Sequence, residues 1–113
     1  MNINVKNVKI CVTIPKGETD RIRTAICDAG AGTTYTNYTD CSTVTEVIGT
    51  FKPTKSANPY IGQVEKLEYV EEDKLEVICD IKIAKKVISV LRSVHPYEQP
   101  AIDIIPLIDE DSL

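Results

Sequence analysis

The spacing of apolar residues along this chain changes in an order that constrains the fold more than any other feature. Residues 5–14 alternate between apolar and polar positions, and a period of two predicts a strand. Residues 18–32 instead place Ile22 and Ile26 about one helical turn apart, and two glycines end that pattern. A strand followed so soon by an amphipathic helix indicates a layer of helix packed on a sheet.

The remaining segments extend the same alternation of strand and helix. Residues 41–48 and 63–80 predict strands, and the prolines and glycines of residues 49–62 predict a long loop between them. Residues 83–94 carry an apolar helical stripe that ends before a proline, and residues 101–108 predict a short final strand.

The predicted order β-α-β-β-α-β is typical of the ferredoxin-like α+β fold, an antiparallel four-stranded sheet with both helices on one face. We expect a single domain over residues 1–108 and a disordered acidic tail over residues 109–113. The second sheet face and the strand edges would then stay uncovered, which favours self-association.

Composition narrows the class of partner and the compartment. The net charge is −4, with 17 acidic against 13 basic residues, which argues against a nucleic-acid binder. No segment approaches the roughly 18 apolar residues of a membrane span, and no secretory signal begins the sequence. The four cysteines form no CxxC pair, so we expect reduced thiols in a cytoplasmic protein, with a disulfide or a cysteine metal site as the alternative.

Four motifs carry a resemblance that covers nearly the whole chain. They are AGAG (29–32), NYTDCS (37–42), GTFKPTKSANPYIGQVEKLEYVEE (49–72) and HPYEQPAID (95–103). In this order they resemble the CutA-like domain inserted in Nif-three-like proteins, and HPYEQP also resembles a motif of CutA itself. The resemblance implies a CutA/PII-like fold, here free-standing, and a homo-oligomer, with a trimer favoured.

The departures limit what the resemblance implies. The two-metal body of Nif-three-like proteins needs several His and acidic ligands, whereas this chain has one His. A hydrolase activity is therefore not implied. Gln99 stands where the family has a second Glu, and Thr43 stands where an aromatic residue is expected.

Two groups of residues are candidates for ligand binding. The glycines of AGAG with Asn37 and Tyr38 fit either a backbone cradle for an anion or a plain helix cap followed by a turn. The long loop and the HPYE motif form the second group, in which Lys52 would contact an anionic ligand; its alternative is a proline-stiffened loop packed on another subunit. The candidates in this second group are Phe51, Lys52, Asn58, Tyr60 and Tyr97.

A metal site is a further hypothesis. Cys41, His95 and Glu98 offer a thiolate, an imidazole and a carboxylate, a set that suits a divalent metal, although the cofactor is otherwise unknown. The alternative is that HPYEQP is a structured connection between helix and strand. The acidic run at residues 71–73 indicates either a solvated turn or a part of a strand that leaves the core, and weak cation binding is a further alternative for it.

Three functions are open. The first, which the resemblance to CutA and PII proteins implies, is a non-enzymatic regulatory module that binds a small ligand or metal. The second is a metal- or thiol-dependent enzyme that uses Cys41 and His95, although no third catalytic group is identifiable. The third is a structural partner that docks onto a larger protein.

Overall fold

The computed structural model describes residues 3–113, and its elements follow the predicted order. The four strands make one antiparallel sheet in the order β2-β3-β1-β4, and the helices pack on one of its faces. The predicted ferredoxin-like fold is confirmed. The elements are β1 Val5–Pro15, α1 Thr19–Asp28, β2 Thr43–Phe51, β3 Glu68–Asp80, α2 Ile81–Val94 and β4 Ile102–Ile108.

Alternate residues of the two central strands build the core beneath the helices. Successive side chains of a strand point to opposite faces, so every second residue of β1 and β3 meets the helices. These residues are nearly inaccessible, and they pack on apolar residues from both helices. The strand residues of the core are Val8, Ile10, Val12, Ile14, Leu75, Val77 and Cys79.

The second helix is defined at both ends by local chemistry. At its start, the Asp80 carboxylate accepts a hydrogen bond from the backbone N–H of Lys82 at 2.8 Å, which satisfies a donor that the helix leaves unpaired. At its end, His95 is extended because the following proline disfavours a helical conformation. The chain therefore turns toward the end of β1 at His95.

The boundaries of the long loop differ from the prediction. Gly49–Phe51 were assigned to the loop but continue β2, since they pair with Val70–Glu68 of β3. Residues 63–67 were assigned to a strand but belong to the loop, which spans residues 52–67. Cross-strand pairing extended the ladder past a glycine, and composition alone does not report such pairing.

The acidic run is a part of strand β3, so the prediction of a solvated turn was wrong. The Thr19 hydroxyl donates to the Asp73 carboxylate at 2.6 Å, on the face that the helices cover. Glu72, one residue earlier, points to the opposite face and is only 4% exposed. Only Glu71 of the run is exposed to solvent. The run is thus divided between the two faces of the sheet by the strand period of two.

The strand edges leave apolar surface uncovered. Ile48 on β2 is 70% exposed, and Ile104, Ile105 and Ile108 on β4 are about half exposed. The radius of gyration is 15.7 Å, against about 13 Å for a compact domain of roughly this length. The outer strands therefore extend beyond the layer of helices.

The last residues are folded in the structure, where the sequence analysis expected a disordered tail. Glu110–Ser112 form one 3₁₀ turn, and the Asp109 carboxylate lies 2.9 Å from the Lys6 ammonium group. Within residues 3–113, none of the helices combines the length and apolar character needed to cross a membrane.

Candidate functional site

A cavity of about 320 Å³ opens at one end of the sheet, where β1 and β2 end and β3 begins. Its walls come from loop 52–67 and from the connection between α2 and β4. Five of the predicted candidates line it: Phe51, Lys52, Tyr60, Tyr97 and Glu98. The structure thus brings together most of the residues of the long loop and the HPYE motif.

The remaining candidates for ligand binding lie elsewhere or contribute differently. Asn58 supplies its backbone N–H, which donates to the Glu98 carboxylate at 3.0 Å and ties the loop to the HPYE segment. Asn37 and Tyr38 lie in an exposed turn near Gly32, which is hydrogen-bonded to Ile78 near the far end of β3. Ile78 is six strand positions from Glu72, about 20 Å away. Asn37 and Tyr38 therefore do not line the cavity of their own chain.

Glu72 was not among the predicted site residues and was considered only as a member of the acidic run. Its carboxylate Oε2 accepts a hydrogen bond from the Tyr97 hydroxyl at 2.6 Å, and the residue lines the cavity while being only 4% exposed. Within residues 3–113, no Lys, Arg or His side chain forms an ion pair with it. The sequence did indicate the direction of this side chain. The core positions 75, 77 and 79 share one face of the strand, so position 72 lies on the opposite face.

Gly49 makes the space that the Glu72 side chain occupies. The two residues lie on neighbouring strands of the same sheet face, where Gly49 pairs with Val70. A Cβ at position 49 would overlap Oε1 of Glu72 and lie 2.9 Å from its Cδ. The glycine interrupts the side chains of β2 and lets the carboxylate lie flat against the sheet.

Tyr97 stays a phenol in this environment. Burial, followed by the hydrogen bond to Glu72 and the charge of that carboxylate, raises the Tyr97 pKa far above its ordinary value of about 10. The hydroxyl therefore stays protonated and donates a hydrogen bond to the Glu72 carboxylate. The Tyr97 ring lies 6.4 Å from the Phe51 ring and 6.3 Å from the Tyr60 ring between centroids, so two further aromatic side chains lie beside the residue that donates to the carboxylate.

His95 stabilises the connection between α2 and β4 through hydrogen bonds of both its ring nitrogens. Its Nδ1 accepts the backbone N–H of Tyr97 at 3.1 Å, so the neutral ring carries its proton on Nε2, which donates to the Thr13 carbonyl at 2.9 Å. The ladder between β1 and β4 ends at Val12, and the imidazole therefore satisfies the first carbonyl beyond it. Burial lowers the His95 pKa, which keeps the ring neutral.

The predicted metal set of Cys41, His95 and Glu98 does not form within one chain. Among residues 3–113, no group of three or more His, Cys, Asp or Glu side chains is placed to hold a metal ion. Cys41 is hydrogen-bonded through Gly32 to Ile78, whereas His95 bonds Thr13, which pairs with Lys74. These two positions of β3 are about 13 Å apart, so the Cys41–His95 catalytic pair is not formed either.

The four cysteines are all free thiols. Burial raises the pKa of the Cys11, Cys27 and Cys79 thiols, and a buried protonated thiol is a poor nucleophile and a poor metal ligand. Cys41 is the exposed member of the set, and its thiol donates to the carbonyl of Thr39 at 3.7 Å.

The AGAG segment forms a helix cap, the plainer of its two predicted roles. The backbone N–H groups of Gly30, Ala31 and Gly32 donate to the carbonyls of Cys27, Ile26 and Ile78 respectively, at 2.9 to 3.1 Å. Because these donors are used inside the protein, they do not form the predicted anion cradle.

Comparison with known proteins supports the resemblance carried by the four motifs. No family model matches the chain. The GTP cyclohydrolase 1 type 2 homolog of Listeria innocua is 41% identical over 99 residues, covering 88% of this chain and 26% of that protein. The homolog of Halalkalibacterium halodurans is 42% identical over 102 residues, covering 90% and 27%. The chain spans about a quarter of the length of the curated relatives that it matches.

Solved structures give the same result for the fold. A Bacillus cereus protein related to NIF3 superposes with a TM-score of 0.78 and 34% identity, over 95% of this chain and 27% of that chain. CutA from Synechococcus elongatus superposes with a TM-score of 0.70 over 95% of this chain and 81% of its own, but its 15% identity is evidence for the fold alone. Over nearly its whole described length, this chain therefore resembles a CutA-like segment of the NIF3-related proteins.

Proposed function

We propose that this protein is a non-enzymatic binding or regulatory module that takes a small ligand in the cavity beside Glu72. The observation that carries the proposal is a nearly buried carboxylate, without a cationic partner in the described chain, that lines a cavity of about 320 Å³. Small-molecule sites are mostly apolar concave pockets with a few placed polar groups, in a range of about 300–1,000 Å³.

The residues that form the cavity walls support binding rather than catalysis. Phe51, Tyr60 and Tyr97 provide aromatic surface, while Glu72, Glu98 and Lys52 provide charge. The enzyme hypothesis has less support because His95 already uses both ring nitrogens in structural hydrogen bonds. The cyclohydrolase activity in the names of the relatives is not part of the proposal. This chain carries one His and spans about a quarter of the length of those proteins.

We further propose that the protein acts as a homo-oligomer, with a trimer favoured by the resemblance to CutA and PII proteins. The support on this chain is the apolar surface of the outer strands, where Ile48 and Ile108 are 70% and 55% exposed. Exposed edge strands with apolar side chains pair readily with another chain. A cytoplasmic location and the docking of this domain on a larger protein stay hypotheses.

Native mass spectrometry of protein purified without chelator tests both parts of the proposal. We expect a mass of several chains and a retained small ligand, or else a ligand captured from a panel of cationic, anionic and neutral metabolites. Amide chemical shifts would locate the ligand, with changes expected at Phe51, Tyr60 and Tyr97. A monomer would contradict the oligomer, and the absence of binding at the cavity by every class would contradict the binding module.

A further inference from the structure

We infer that the cavity recognises an organic cation, an ammonium group carried by a small molecule, with Glu72 as its counter-ion. This inference rests on the proposed binding function and adds the chemical class of the ligand. It follows from three independent features of the described residues: the state of the carboxylate, the arrangement of the aromatic rings, and the charges and size of the cavity.

The carboxylate of Glu72 is prepared to accept a donor from the cavity. In the described part of the chain its one hydrogen bond comes from the Tyr97 hydroxyl, to Oε2. Every fully buried side-chain nitrogen or oxygen among these residues has a partner, so the remaining oxygen, Oε1, which lies over Gly49, keeps some accessible surface on a residue that lines the cavity. A nearly buried carboxylate is costly unless a cation or donor pairs with it.

The aromatic rings beside Tyr97, the residue that donates to the carboxylate, suit a positive charge. Phe51 and Tyr60 flank Tyr97, each tilted by 52° to its ring, and all three line the cavity. Aromatic faces carry partial negative charge and attract ammonium groups, and several rings around one site are the arrangement used for quaternary ammonium ligands. Among residues 3–113 no three His, Cys, Asp or Glu side chains are grouped to hold a metal ion, which favours an organic cation over a metal.

The charged residues of the wall and the volume of the cavity indicate the charge and the size of the ligand. Glu72 and Glu98 are the acidic residues of the wall, and the exposed Lys52 is the single basic one, so the cavity is net negative. A volume of about 320 Å³ is at the small end for ligand pockets. The cavity therefore suits a small molecule with one positive group, such as a choline-sized compound.

The test compares choline with its uncharged carbon isostere, 3,3-dimethylbutan-1-ol, as probes of equal shape. Binding is measured by amide chemical shifts of the intact protein, with acetate and phosphate as anionic probes. We expect choline to perturb the amides of Phe51, Tyr60 and Tyr97 in a saturable manner, and the isostere to bind at least about tenfold more weakly, because it lacks the charge that Glu72 and the rings attract.

A matched pair of variants assigns the effect to Glu72. Glu72→Gln keeps an oxygen that accepts from Tyr97 but removes the charge, and it is expected to weaken choline binding by about tenfold or more. Glu71→Gln makes the same substitution one residue away on the other face of β3, where the side chain is exposed, and is expected to leave binding within about twofold.

The outcomes separate this inference from the function on which it rests. If only acetate, phosphate or the neutral isostere binds at the cavity, the cation inference is wrong while the binding module stands. If no probe of any class binds there, both are wrong. If choline fails to perturb the amides of the cavity, the inference is overturned, whatever the effect of Glu72→Gln on the stability of the protein.

Discussion

The two ends of the sheet use their polar groups in opposite ways. At the glycine end, formed by residues 30–32 and the segment around Cys41, three successive backbone donors are all paired with carbonyls of the same chain. At the cavity end, formed by residues 49–52, 68–72 and 95–101, one oxygen of Glu72 makes no hydrogen bond with the described residues. The backbone donors of the glycine-rich motif are therefore all used within the chain. The acidic run, whose sequence is typical of an exposed segment, instead supplies a carboxylate to the cavity.

The difference shows what to ask of a motif in a small domain. The decisive property is whether its donors and acceptors are already used inside the fold, since a paired group has little left to offer a ligand. The two glycines at these ends also differ. Gly32 has a positive φ of 78° and its missing Cβ faces the backbone of Cys41, whereas Gly49 faces only the end of the Glu72 side chain.

Substituting both glycines by alanine gives the largest expected contrast. A Cβ at position 32 would lie 2.8 Å from the Cys41 carbonyl oxygen, in a backbone conformation that alanine disfavours. We expect Gly32→Ala to lower the free energy of unfolding by about 2–3 kcal/mol. Gly49→Ala is expected to cost about 1–2 kcal/mol, because the Glu72 side chain must move aside and give up its hydrogen bond with Tyr97. Urea unfolding of the two variants measures both values, and equal losses would contradict the distinction between the two ends.

The hydrogen bond between Tyr97 and Glu72 is the next test of the cavity end. Tyr97→Phe keeps the ring but leaves the carboxylate without its hydrogen bond, and we expect a loss of about 1–2 kcal/mol in the free energy of unfolding. Tyr69→Phe on the same strand as Glu72 is the control, because its side chain is 70% exposed and the change should stay within about 0.5 kcal/mol. Similar values for the two variants would show that the Tyr97 hydroxyl does not stabilise the buried carboxylate.

The pH dependence of stability tests His95, with a smaller effect than that of Tyr97→Phe. Burial lowers the His95 pKa in the folded state, so below the ordinary value of about 6.5 the unfolded chain binds more protons. Stability is therefore full above about pH 6.5 and is lost as the pH falls toward the folded-state pKa. His95→Gln should remove this part of the loss between pH 7.5 and 5.5, as measured by urea unfolding. An unchanged pH dependence in the variant would assign the loss to other groups.

The stronger predictions from sequence were those that depend on local pattern. The periods of two and 3.6, together with the glycine and proline stops, predicted the order of six elements and the ferredoxin-like sheet. The four motifs also predicted the resemblance that the NIF3-related relatives confirm. The loop and HPYE motifs identified Phe51, Lys52, Tyr60, Tyr97 and Glu98, all of which line one cavity.

Predictions that depended on distant residues meeting were less successful. Cys41 and His95 are both reactive types, but the sheet places their anchoring points at separate positions along β3. The acidic run was interpreted as a turn because three acidic residues in succession favour solvent. Its position in a paired strand instead sends Glu72 to one face and Asp73 to the other.

The amino-acid sequence by itself determined the order of the elements and their apolar faces, because periodicity, capping and turn chemistry act over a few neighbouring residues. Only the tertiary structure decided that Glu72 lies beneath Tyr97 and against Gly49. Those three residues meet through the register between β2 and β3 and through the return of the chain after α2. A shift of one residue in that register would move the carboxylate to the other face.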